Sequence, residues 1–178
     1  MSGYFRAELL KLMSLPAVHL TAVGTLVLAL AGYAQAGFVV LGVVAATSEY
    51  GGQIGTTLVA LPKRVPLHLV KLVVLGSAAV ALAVPAVVVA TIGLRDNGFS
   101  VGECAYLALT AVLSAAVASV VRRGVPALAG LLGYFFIAGP LLRQAEFARC
   151  LPDRAATAAV WVVVSVAISA VTFQRRDA

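Results

Sequence analysis

Charge is scarce in this chain. Only 11% of its residues are charged, against about 25% in a soluble domain, so roughly half of the usual solvating surface is missing. Motifs of enzymatic chemistry are missing from its apolar runs too. No GxxxxGK[ST] phosphate loop occurs, so ATP is not bound and hydrolysed by that chemistry. No HExxH, GxSxG or paired acidic motif falls within an apolar run, which counts against a membrane protease or esterase. Neither Asp, Glu, Lys nor Arg stands in the middle of an apolar run, whereas a proton-coupled carrier normally needs such a group to hold its coupling ion. The two cysteines, Cys104 and Cys150, lack CxxC-type metal spacing. His19 and His68 are isolated, each near the start of an apolar run, and read as polar interface residues rather than ligands. The only tryptophan, Trp161, falls inside an apolar run and reads as a packing or lipid-facing residue. No repeat of solenoid or inverted-half period is present. A catalytic or metal site is therefore not expected.

What the chain has in abundance is apolar sequence: 62% of its residues are hydrophobic, the mean hydropathy is +1.04, and the apolar residues come in runs. A helical span needs roughly 20 of them. The predicted fold is all-α, a single polytopic membrane domain over residues 1–178 with about six transmembrane helices and both termini cytoplasmic. The first apolar run is too long for a cleaved signal peptide and continues into a second, so it is expected to be a retained span.

Residues 2–14 place Phe5, Leu9 and Leu12 on one helical face, with Arg6, Glu8 and Lys11 away from it. This predicts a short interfacial helix; the alternative is the frayed start of the first span. Residues 17–47 are too long for one ordinary span and short for two. Arg6 and Lys11 precede them and Lys63, Arg64 and Lys71 follow, which favours a tight hairpin turning near Gln35 over a single tilted span. Further spans are predicted at about 67–92, where Pro85 introduces a kink, and at 104–121, 125–142 and 155–173.

The positive residues test this arrangement. Arg6, Lys11, Lys63, Arg64, Lys71, Arg122, Arg123, Arg175 and Arg176 fall in segments predicted to be cytoplasmic. Arg95, Arg143, Arg149 and Arg154 fall outside, where Asp96, Glu103, Glu146 and Asp153 balance them. The formal net charge of +6 is thus a topology signal and not a nucleic-acid footprint. Cys104 and Cys150 are both assigned to the external side, where a disulfide would tie the fourth span to the last loop; spacing alone leaves that pairing open. Ala111, Ala115 and Ser119, and likewise Ser165 and Ser169, recur at helical spacing as faces for close helix contact, although alanine is abundant throughout.

One stretch, residues 48–71, gathers polar residues in order. Glu49 and Tyr50 close the second span, and Gly51-Gly52 permit a sharp turn. A short amphipathic helix follows with Ile54, Leu58 and Leu61 on one face, stopped by Pro62 and ending in Lys63-Arg64. Taken alone it is either a device that transmits force between two spans or a loop that shields the membrane edge. The run Ser48-Glu49-Tyr50-Gly51-Gly52-Gln53-Ile54-Gly55-Thr56-Thr57-Leu58, with Pro62-Lys63-Arg64 and Lys71 beyond it, resembles the type-two ABC exporter permeases of actinobacteria.

That resemblance implies a coupling helix within residues 51–64 that docks into a separate ABC ATPase subunit. It assigns Glu49, Tyr50, Gln53, Thr57, Pro62, Arg64 and Lys71 to the joint. ATP and Mg would be held by the ATPase chain, with no cofactor on this one. The permease would pair with itself or with a sister chain in a bacterial plasma membrane and move a drug, lipid or antimicrobial peptide outward. The first two spans are much shorter than is usual in that family. This feature favours the alternative, a membrane binding, immunity or scaffold protein without transport of its own.

Overall fold

The computed structural model describes residues 6, 9–10, 12–48, 64–94, 99–142, 152 and 154–176, with side chains over 64–67 and 173–176 left aside. Among the described residues the chain is entirely helical, with no strand. The elements are α1 (Pro16–Leu30), α2 (Ala34–Thr47), α3 (Arg64–Leu94), α4 (Val101–Val121), α5 (Gly124–Leu142) and α6 (Ala155–Arg176). The apolar parts of α3 to α6 are long and apolar enough to cross a membrane, which makes this a membrane protein by length and composition. Ahead of α1, Arg6, Leu9, Leu10 and residues 12–14 are also helical. Leu9 and Leu12 are half-buried there, and Arg6, Leu10 and Met13 are exposed.

Residues 17–47 form two helices joined by a tight turn and are not one continuous helix. The turn is at Ala31-Gly32-Tyr33, two residues ahead of Gln35. Its cause is backbone chemistry. Gly32 sits at φ +79°, a left-handed conformation that glycine adopts without steric cost. The Gly32 N–H donates to the Ala29 carbonyl and the Tyr33 N–H to the Leu28 carbonyl, the paired bonds of a Schellman stop. At the other end Pro16 occupies the first turn of α1, where its missing N–H leaves no bond unmade.

Pro85 lies inside α3, which continues through it, and Pro66 falls in the first turn, where proline is tolerated. α4 stops at Arg122, held at φ 57°, and the extended Arg123 turns the chain straight into α5. Within α5 the stretch Tyr134–Ala138 widens into a π-helix, closed by the Gly139 N–H donating to the Tyr134 carbonyl. A side chain at 139 would crowd that carbonyl at 3.1 Å, so glycine there permits the wide turn.

The core is built around α4, which packs against α2, α3, α5 and α6. Its inward surface is Ala108, Ala111, Ser114, Ala115, Ala118 and Ser119, all buried. The predicted small-residue face Ala111, Ala115 and Ser119 is therefore a true contact surface. Lipid tails are as apolar as Leu, so helices here associate through close van der Waals packing. Gly42 of α2 lies so close that a Cβ would overlap the Ala111 carbonyl oxygen and press on Ser114. Gly37 faces the fully buried Thr25 of α1 in the same manner. The buried hydroxyls are satisfied within their own helices: Thr25 to Thr21, Thr110 to Tyr106 and Ser114 to Thr110, at 2.7 to 2.9 Å.

This packing predicts opposite outcomes for two identical changes. Gly42→Ala is expected to destabilise the protein by about 2 kcal/mol or more through overpacking. Gly24→Ala, with nothing within 4 Å of the new methyl, is expected to be neutral or stabilising by up to about 1 kcal/mol. Thermal unfolding of the two variants in detergent checks this.

Candidate functional site

The polar segment singled out in the sequence connects α2 to α3. Ser48 caps α2, its hydroxyl donating to the Ala45 carbonyl at 3.2 Å. Glu49, Tyr50, Gln53, Thr57 and Pro62 lie outside the described residues. Arg64 is the first residue of α3, and Lys71 stands two turns further along the same helix, half-buried. The two helix ends that carry the segment are held together. Val43, Ala45 and Ala46 of α2 share one apolar cluster with Leu72 and Leu75 of α3, Ala115 and Ala118 of α4, and Ala127 and Leu131 of α5.

Three contacts define this end of the bundle. Gly124, at the start of α5, faces Thr47, with a Cβ reaching its hydroxyl at 3.3 Å. His68 Nε2 lies 3.0 Å from Ser169 Oγ, joining the start of α3 to the later part of α6. The cluster around Leu72 closes the middle. The helix ends bearing Arg64, Lys71, Arg122, Arg123, Arg175 and Arg176 therefore share one end of the bundle. At the opposite end Leu30 and Gly32 meet Gly93 and Leu94. Among the described residues these basic positions, read segment by segment in the sequence, gather at one end of the bundle.

Two polar pairs were missed in the sequence. His68 was expected at the interface, yet it is 7% exposed and its partner Ser169 is 2% exposed. The Ser169 hydroxyl also donates to the Val166 carbonyl at 2.9 Å. Gln35, expected at the turn, lies inside α2 and its amide donates to the Tyr106 hydroxyl of α4 at 2.6 Å. The signal was available: a polar side chain within an apolar helix has to find a partner. His19 behaves as expected, exposed and bonded only to the Leu15 carbonyl at 3.2 Å, and Trp161 is exposed.

Cys104 is a buried free thiol whose Sγ donates to the Ala83 carbonyl at 3.9 Å. Cys150 lies outside the described residues. Among the described residues no group of three or more His, Cys, Asp or Glu could hold a metal ion. No family model matches this chain, and no curated protein or solved structure is significantly similar to it.

The His68–Ser169 bond is expected to contribute about 1 kcal/mol, the scale measured for interhelical bonds in membranes. A double-mutant cycle on His68→Phe and Ser169→Ala, read by unfolding in detergent, should return a coupling of that size. Strict additivity would show that the two side chains do not support one another.

Proposed function

We propose that this chain is the membrane-spanning permease subunit of an ATP-driven exporter, with residues 48–64 as the joint to a separate ATPase subunit. The observation that carries this reading is the ordered run from Ser48 to Lys71, which resembles the coupling segment of type-two ABC exporter permeases. A second support is mechanical: that run links the ends of α2 and α3 at the basic end of the bundle.

In this proposal the α1–α2 hairpin and α3 to α6 make six spans, with both termini and the basic end in the cytoplasm of a bacterial plasma membrane. The ATPase chain holds ATP and Mg, and its closure pushes on the segment after Ser48. α2 and α3 then tilt together because Val43, Ala45 and Ala46 share one apolar cluster with Leu72 and Leu75. The His68–Ser169 bond passes the motion on to α6. Glu49, Arg64 and Lys71 are coupling residues and not catalytic ones, so the chain is a transporter subunit and not an enzyme. A bundle this small does not enclose a wide path; the substrate, a hydrophobic or amphipathic drug, lipid or peptide, would move along an interface between two permeases.

A second reading, a membrane binding, immunity or scaffold protein, is favoured by the short hairpin, whose helices have 15 and 14 residues.

Solubilised wild-type chain is expected to capture its candidate ATPase, and Glu49→Ala or Arg64→Ala to weaken capture roughly tenfold, equivalent to about 1.4 kcal/mol. No capture in any of several detergents would favour the scaffold reading. The topology has its own test, in a chain whose Cys104 and Cys150 are replaced by Ala. Asn97→Cys should react with an impermeant maleimide in intact cells, and Ser48→Cys only after permeabilisation. The reverse pattern would invert the proposed orientation.

A further inference from the structure

α1 and α3 pack side by side, yet they offer the surrounding lipid apolar faces of very different length. α1 has 15 residues, about 22 Å at the helical rise. Both of its ends are set by backbone chemistry, Pro16 after the extended Leu15 at one and the Gly32 stop at the other. Its exposed apolar stripe is Leu20, Val23, Val27 and Leu30. Exposed His19 borders that stripe on one side and exposed Tyr33 on the other. The apolar part of α3, His68–Leu94, has 27 residues, about 40 Å. Leu69, Val73, Val80, Val84, Val88 and Ile92 are exposed along it.

A hydrocarbon core is about 30 Å thick. Tilt fits an overlong helix such as α3 into that thickness, but it only shortens the reach of α1. A short span is accommodated by thinning the bilayer, by snorkelling of flanking side chains, or by association that hides the face. Snorkelling needs long charged side chains beside the span; α1 contains none, and the nearest before it, Lys11, stands five residues ahead of Pro16. Close association needs small residues at matched spacing. The stripe is Leu and Val, and Gly24 at its edge has Leu20 and Leu28 one turn away on either side.

We propose that the exposed face of α1 is a lipid-contact surface that thins the bilayer beside it and gathers short-chain phospholipid. α3, next to it, holds lipid of ordinary length. The inference needs only that both helices stand in the bilayer and does not rest on the transport reading.

Single-tryptophan chains test it locally. Trp161 is replaced by Phe, and Trp is placed at Val27 of α1 or Val84 of α3, which are 61% and 45% exposed. Brominated dimyristoleoyl and dierucoyl phosphatidylcholine, each mixed with the dioleoyl lipid in vesicles, give the lipid preference at each reporter by quenching. Val27→Trp is expected to favour the short chain over the long one by about twofold or more, and Val84→Trp not to. Equal preference at the two reporters would overturn the proposal. Quenching at Val84→Trp with none at Val27→Trp would also overturn it, by revealing a second copy over α1.

The unmodified chain supplies an independent measurement should a reporter fail to fold. Backbone amides of α1 are expected to exchange about threefold faster or more in dierucoyl than in dimyristoleoyl bilayers, with α3 unchanged. Equal exchange of α1 in the two lipids would overturn the proposal. Neither readout involves an ATPase, so the result is independent of capture by one.

Discussion

The close approach of α2 to α4 is the contact on which the rest of the bundle depends. It exists because Gly42 has no side chain and its neighbours Ala111 and Ser114 have almost none. Two helices of ordinary composition stay 8–10 Å apart, and at that spacing the short hairpin would lose its hold on α4. In lipid no hydrophobic force would draw it back, since burial against another helix and burial against acyl chains are nearly equivalent. What favours assembly is the stronger dispersion attraction between small surfaces that meet closely. That is why α4, the alanine- and serine-lined helix, is the one packed from several sides, while the Val- and Leu-rich faces of α3, α5 and α6 are exposed.

From this centre the polar chemistry separates into two kinds. Hydroxyls on α1 and α4 bond back to their own helices and leave the contact surfaces smooth. Other side chains reach across, Gln35 to Tyr106 and His68 to Ser169. The second pair ties α3, the helix that follows the polar segment, to α6, the last helix of the chain. A push on that segment would therefore be felt by helices distant in sequence, as a coupling joint demands. The same arrangement would equally suit a rigid scaffold, which is why the function is argued from the residues of the segment and not from the architecture.

Much of the fold was legible in advance, for identifiable reasons. Helix positions followed hydropathy, and the fourth span ended at Arg122-Arg123 as expected, since charges act locally. The face Ala111, Ala115 and Ser119 was visible as a periodicity. The hairpin turn was expected near Gln35 and lies two residues earlier, at Ala31-Gly32-Tyr33. The turn follows backbone freedom at Gly32, and Gln35 is polar because Tyr106 awaits it. His68 was misread: a histidine near a helix start looks interfacial until a serine a hundred residues later is folded against it.

By itself, then, the sequence determined that this is an apolar helical chain, where its long helices run, and which segment carries its ordered polar residues. Hydropathy, turn residues and charge are properties of neighbours along the chain, and neighbours are what a sequence displays. The tertiary structure alone decided that α4 is the centre, that Gly42 is the point of closest approach, and that His68 and Gln35 are internal ties. It also decided that a short α1 stands beside a long α3. Each of these depends on which helices meet, and that is settled by the fit of side chains far apart in the chain.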